Sequence, residues 1–269
     1  MVNTKDKKGG NTMEKKYELL KNDTIKVDNH ILYRIKALKD FANVNKGDLG
    51  GYIEKEDNLS QDENCWVYDD AHVLGNAQIS GHAWVLGNAC VYDNACVFDN
   101  ARVSGDAQIS GHAWVLGNAC VSDYACVYDD AQISGNARVS GDAQISGHAW
   151  VLGNACVSDY ACVYDDAYVS GDAQISGNAR VSGDAHVSND ANISSDLDYC
   201  AILGFGSEGK TITFFKCKNG VIKVNCGCFN GTLDEFRKKV KETHGDNKYA
   251  KEYLMAADLM ELKIKLMEV

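Results

Sequence analysis

Residues 107 to 131 read Ala107-Gln-Ile-Ser-Gly-His-Ala-Trp-Val-Leu-Gly-Asn-Ala-Cys-Val-Ser-Asp-Tyr-Ala-Cys-Val-Tyr-Asp-Asp-Ala131. Alanine returns every six residues, a Val or Ile stands two residues after it, and a pair such as Gly-His, Gly-Asn, Asp-Tyr or Asp-Asp closes each unit. The phase holds over half the chain: from Val67 to Ile193 every sixth residue is Val or Ile, 22 times, and from Ala71 to Ala191 alanine follows each by four residues, 21 times. A period of six drifts out of phase with a 3.6-residue helical stripe within two turns, so the series is not helical. In a strand, Ala and Val two apart point to one side, so each hexad is one short strand and one corner. Gly, Asn and Asp supply corner conformations. Three strands per coil close a triangular prism filled by Val, Ile and Ala, and seven coils at the strand spacing of about 4.8 Å make a rod of about 34 Å.

Composition follows from this segment. The 269 residues contain no proline, 25 glycines and 11 cysteines, and carry a net charge of −11. A proline would delete a ladder hydrogen bond at nearly any position of the rod. Residues 65 to 198 hold 17 aspartates and three arginines, a sum of −14; the first 64 residues balance at zero and residues 199 to 269 sum to +3. A hydrophobic content of 45% suffices for a packed core and excludes wholesale disorder. Without an apolar run of about 18 residues or a signal-peptide core, the expectation is a soluble cytoplasmic protein with reduced thiols.

Outside the rod the pattern changes. Residues 1 to 12 read as a flexible arm. Residues 13 to 64, with alternation in Tyr17-Glu-Leu-Leu20 and Ile31-Leu-Tyr-Arg-Ile35 and a Gly47-Asp-Leu-Gly-Gly51 turn, suit a β-rich cap that shields the first coil's open edge. Residues 199 to 269 read as a small α+β domain. Strands are expected around Thr211–Lys216 and Val221–Cys226, then a helix N-capped by Thr232 with Glu235 and stopped at His244-Gly245, then a second helix over Tyr249–Leu266. Leu203–Gly209 has the glycines of a phosphate loop but lacks Gly-Lys-Ser/Thr, which makes it a hairpin connection.

A given face of the prism recurs every 18 residues. One face presents Phe98, Trp114, Leu116, Trp150, Leu152 and Tyr168, an apolar stripe open to solvent on a lone chain, so self-association into a dimer or trimer is expected there. The competing reading folds the flanking domains over it. One corner stacks Asn94, His112, Asp130, His148 and Asp166; with Asp93, Asp129 and Asp165 beside it, this forms an acidic ladder for a macromolecular partner. Such a ladder could also hold a metal, but histidines that merely relieve repulsion between stacked carboxylates are the favoured account. The six outward cysteines of the rod pair no closer than two coils on one face, beyond disulfide reach. Cys217, Cys226, Cys228 and His244 offer the residue types of a zinc set. Their Cys-x-Cys spacing is shorter than the usual Cys-x2-Cys, so packing is preferred, and no cofactor is expected.

The hexad series resembles the hexapeptide-repeat left-handed parallel β-helix, and the left hand is what that resemblance implies. The expected fold is all-β, a left-handed parallel β-helix of about seven coils between the two caps. The hexapeptide family includes acyltransferases and γ-type carbonic anhydrases, for which the resemblance implies a singular histidine site between subunits. Here Ala107–Ala131 recurs verbatim as Ala143–Ala167, so the histidines look like repeated architecture. Leu32–Phe41, Gly47–Ile53 and Asn64–Ala71 resemble bacterial and prophage proteins labelled transferases, and Cys226–Phe236 with Thr243–Asp246 is similar to a module of phage proteins. That resemblance implies a bacterial host cytoplasm. Seventeen aspartates over about 34 Å, roughly one per 2 Å, approach the one charge per about 1.7 Å of duplex DNA. The reading is therefore a non-catalytic, self-associating acidic rod. It would inhibit a host immune effector or nucleic-acid-handling protein by mimicking nucleic acid, without binding nucleic acid or membrane itself. A coenzyme-A-dependent acyltransferase is the alternative.

Overall fold

A computed structural model describes residues 14–206 and 208–267, with side chains to residue 263. The arm expected over residues 1 to 12, Ser207 and the side chain of Leu266 lie outside the described residues. Three strands open the chain, β1 (Tyr17–Val27), β2 (His30–Ala37) and β3 (Leu49–Ile53). Twenty-two two-residue strands follow, from β4 (Trp66–Val67) to β25 (Asn192–Ile193). The tail comprises β26 (Tyr199–Phe205), β27 (Lys210–Lys216), β28 (Ile222–Cys226), β29 (Phe229–Thr232), α1 (Leu233–His244) and α2 (Lys248–Met267).

The short strands form three parallel sheets, each strand paired with those three before and three after it. Gln108 lies beside Cys90 and Cys126, and Trp114 beside Cys96 and Gln132, the 18-residue offset of a three-strand coil. The Gln108 N–H donates to the Ala125 carbonyl at 2.9 Å and the Ser110 N–H to Val127 at 2.9 Å, so the ladder runs along the rod axis. Val, Ile and Ala of the hexads are buried from Val67 to Ile193. Small and β-branched side chains suit a narrow interior in which an extra methylene finds no room.

The rod begins before the hexads do. Ile53 pairs with Val73 in a parallel ladder and Leu59 bridges Ile79, so β3 and the segment after it form a further turn under the first full coil. Leu59 to Val67 is eight residues instead of six, and this excess interrupts the sequence period. The expected Gly47–Gly51 turn is only partly a turn. Gly47 has φ +97°, while Gly50 and Gly51 lie in β3, where added Cβ atoms would meet the Val67 and Ala71 carbonyls at 2.5 Å. Tyr17 and Phe41 close edge-on over Trp66 at 6.1 and 5.3 Å, burying a tryptophan that stands at an outward hexad position.

At the other end the antiparallel sheet β26–β27–β28–β29 covers the last coil. Strand alternation gives β27 two buried faces: Phe215 joins the core of the rod, while Ile212 and Phe214 pack on Phe236, Val240, Tyr253 and Met260 of the helices. Thr232 accepts the Glu235 N–H and the Glu235 carboxylate accepts the Thr232 N–H, the expected capping box, and Gly245 ends α1 with φ 56°. Both rod ends thus carry a cap, which shields coil edges that would otherwise recruit other strands.

Candidate functional site

The corners explain the aspartates. The first residue of each two-residue corner sits in the left-handed region, at φ 53° to 74° along the rod, and is glycine, aspartate or, once, asparagine. Glycine enters that region freely, and Asp or Asn does so with local hydrogen bonding. Asp93 Oδ2 accepts the Gly111 N–H one coil on at 3.2 Å, Asp129 that of Gly147 at 3.1 Å, and Asp165 that of Gly183 at 3.1 Å. Asp69, Asp99, Asp123 and Asp159 do the same for Gly87, Gly117, Gly141 and Gly177 at 2.9 to 3.1 Å. Seven of the 17 rod aspartates are therefore bracing residues that tie successive coils. Among the described corners, no two left-handed residues bearing a Cβ follow each other in one stack. The remaining aspartates stand mostly at the second corner position, where an asparagine ladder also runs, Asn118 to Asn136 to Asn154 to Asp172 at 3.0 Å per step.

All six residues expected on the apolar face lie on one sheet. Trp114 and Trp150 are 46% and 42% exposed, two coils apart with Gln132 between them, and neither terminal domain covers them. Phe98 closes on Trp114 at 5.8 Å, and Trp150, Tyr168 and His186 form a run at 6.1 and 5.3 Å, the last pair stacked. The adjoining corner carries His112, Asp130, His148 and Asp166. Face and corner meet in an open depression of about 570 Å³ lined by Asp130, Gln132, His148, Trp150, Asp166 and Tyr168, with His186 at its end. The two surfaces expected from the sequence are thus one continuous surface. His186 joins it because the face continues one strand further.

The corner histidines lack the fixed orientation that a general base needs. His148 Nδ1 lies 3.7 Å from Asp130 Oδ2, and both groups are exposed. A tighter pair appears where the sequence shows no motif: His30 Nδ1 and Glu54 Oε1 are 2.8 Å apart, and Glu54 Oε2 accepts the Gly75 N–H at 2.7 Å. Burial raises the Glu54 pKa, but the His30 and Gly75 hydrogen bonds outweigh it and hold the carboxyl below its ordinary value. His30 borders a depression of about 440 Å³ with Asp28, Tyr92, Asp93 and Asn94. The residues pair across 24 positions on different elements, a separation that no local spacing rule detects.

The four tail residues considered for zinc do not gather. Cys217 is buried at one end of the β27–β28 hairpin, beside Val221, while Cys226 pairs with Ile212 at its other end. His244 packs on Tyr249 and Tyr253. No group of three metal-binding side chains converges among the described residues, and all eleven cysteines are free. Leu203, Gly204 and Phe205 end β26, and Gly206, Glu208 and Gly209 lie between it and β27. No described helix is long and apolar enough to cross a membrane.

Two comparisons bear on the rod. A family model described as the YdcK beta solenoid repeat matches residues 131–144 and 173–189. A protein of Escherichia coli (strain K12) named "Uncharacterized acetyltransferase YdcK" is 46% identical over 41 residues, 15% of this chain and 13% of that protein. The chain therefore spans about one eighth of that relative's length. What the family match shows is the β-solenoid repeat.

Proposed function

We propose that this protein is a non-catalytic, self-associating rod whose Trp114/Trp150 face pairs with a second copy and whose acidic corner engages a basic macromolecular surface. The observation that carries the reading is the uncovered pair of tryptophans on one sheet, repeated with their surroundings at 36 residues. Two coils correspond to about 9.6 Å. Large Trp114 and Trp150 therefore alternate with small Gln132/Ser134 at that period. A second copy turned antiparallel offers the same alternation, so the ridges of each rod fit the gaps of the other, as a self-complementary two-fold contact requires. The depression beside Trp150 brings Asp130 and Asp166 to the edge of this contact. A charged rim of this kind steers basic partners. A partner with a basic nucleic-acid-binding groove, in the phage-type setting that the tail's resemblance implies, fits that charge. The seven bracing aspartates supply field without being free to rearrange; the carboxylates at the second corner position supply the adjustable contacts.

The second reading is acyl transfer, and the relative's name favours it. If the chain transfers an acyl group, His30 held by Glu54 is the base, with His112 and His148 uninvolved. Incubating the full chain with acetyl-coenzyme A and small amine and hydroxyl acceptors separates the readings. The rod proposal expects no turnover above background. Turnover lost in His30→Ala and kept in His112→Ala would replace the proposal by the enzyme. Capture of a basic nucleic-acid-handling protein, weakened by salt and lost when Asp130 and Asp166 become Asn, supports the binding role; capture unchanged by those substitutions contradicts it.

A further inference from the structure

Lys16 is the only fully buried lysine among the described residues. It stands immediately before β1, and its Nζ reaches into the irregular stretch that precedes the first full coil. There it donates to the Asp62 carbonyl at 3.1 Å and the Cys65 carbonyl at 2.9 Å, and lies 3.3 Å from the Cys65 thiol sulfur, beneath the Phe41 ring at 5.2 Å. Cys65 is equally buried. Burying an amine on two carbonyls and a thiol is expensive where a leucine would fill the space. Cys96, Cys120, Cys126, Cys156 and Cys162 turn their thiols to a carbonyl two residues back at 3.6 to 3.8 Å, on the rod's outside. The Cys65 thiol also lies 3.7 to 3.9 Å from the Ser60, Asp62 and Ile79 carbonyls, but inside the core and with an amine against its sulfur. Desolvation lowers the Lys16 pKa and raises that of Cys65, moving each toward its neutral form.

We propose that Lys16 and Cys65 are a modification site at which dioxygen installs a reversible nitrogen–oxygen–sulfur crosslink between Nζ and Sγ. The amine enters neutral. The thiol S–H bond and one amine N–H bond break, and S–O and O–N bonds form. One oxygen atom stays in the bridge and the other leaves as water with the two hydrogens. Sulfur and nitrogen each give up two electrons, which together reduce the dioxygen. The link joins β1 to the start of the rod across 49 positions, closing a long loop and locking the cap on the first coil. Two equivalents of a dithiol, each oxidised to its disulfide, supply the four electrons and four protons that return free thiol and amine and release the bridging oxygen as water, so cap attachment becomes redox-dependent.

The test exposes the full chain to dioxygen labelled with oxygen-18, then digests it without reductant for mass spectrometry. The expected product is a joined pair of peptides containing Lys16 and Cys65, heavier than their sum by one labelled oxygen less two hydrogens. Proteolysis after Lys16 is blocked, and a thiol reductant separates the pair. The linked protein melts higher than its reduced form, and Cys65→Ser loses that difference. If the variant does not fold, the wild-type mass readout decides alone. A joined pair without the label, Cys65 as sulfinic or sulfonic acid beside free Lys16, or unlinked peptides after the outer cysteines have oxidised would each overturn the proposal.

Discussion

The corner geometry makes a quantitative claim that two alanine substitutions isolate. Gly111 has φ +66°, and a Cβ there would meet the Asp129 nitrogen, oxygen and Cα of the next coil at 2.7, 2.8 and 2.9 Å. Gly183 has φ +62° in the same stack, but its Cβ would meet nothing within 4 Å. Gly183→Ala therefore pays only for placing an L-residue in the left-handed region, about 1–2 kcal/mol. Gly111→Ala adds a clash with backbone that cannot rotate away, about 1–3 kcal/mol more. At roughly 2–4 °C per kcal/mol for a chain of this size, Gly111→Ala should melt at least about 2 °C below Gly183→Ala, and up to about 12 °C below it. Thermal unfolding followed by far-ultraviolet circular dichroism reads the difference directly. Equal losses would show that the corners are held by backbone conformation alone and that axial tightness plays no part.

Two further expectations rest on named contacts. Asp93→Asn, Asp129→Asn and Asp165→Asn keep both an oxygen acceptor for the glycine N–H one coil on and a residue that tolerates the left-handed region. Each should cost less than the matching alanine variant, which loses a bond worth about 0.5–1.5 kcal/mol and adds backbone strain; equal melting temperatures for Asn and Ala would refute the bracing role. Asp198 accepts the Ser194 N–H and hydroxyl at 2.9 Å each and the Ser195 N–H at 3.1 Å, where the rod joins β26. Burial raises its pKa, but these bonds and Lys216 outweigh it and leave the pKa lowered. Its stabilising contribution is present above the unfolded value of about 3.9 and is lost as pH falls through the folded value. Wild type should lose melting temperature below about pH 4 more steeply than Asp198→Asn, and parallel curves would contradict the assignment.

The rod and its outer faces were legible because six divides eighteen: once each hexad is one strand and one corner, every outward side chain has a computable neighbour. Trp114, Gln132 and Trp150 fell on one face by that arithmetic, and the registers place them there. The turn under the first coil was hidden by two extra residues between Leu59 and Val67. Trp66 stands at an outward hexad position, and face counting cannot anticipate Tyr17 and Phe41 closing over it. β26 and β29 were missed for different reasons: Tyr199–Phe205 is half-covered on both sides and lacks alternation, and Phe229–Thr232 is only four residues long. The His30–Glu54 pair and the Lys16–Cys65 contact join segments 24 and 49 residues apart, and only the folded cap brings them together. The 17 aspartates look uniform in composition but divide by φ into seven bracing groups in the left-handed region and ten others.

Sedimentation velocity over a concentration series tests the central claim most directly, comparing the full chain with its Trp114→Ser/Trp150→Ser double variant. Serine at these exposed positions leaves the interior of the prism untouched, so both proteins should keep the same far-ultraviolet spectrum. The account predicts a discrete oligomer for the wild type that dissociates on dilution, and a monomer for the variant at every concentration. A wild type that stays monomeric throughout, or a variant that assembles as the wild type does, would contradict it.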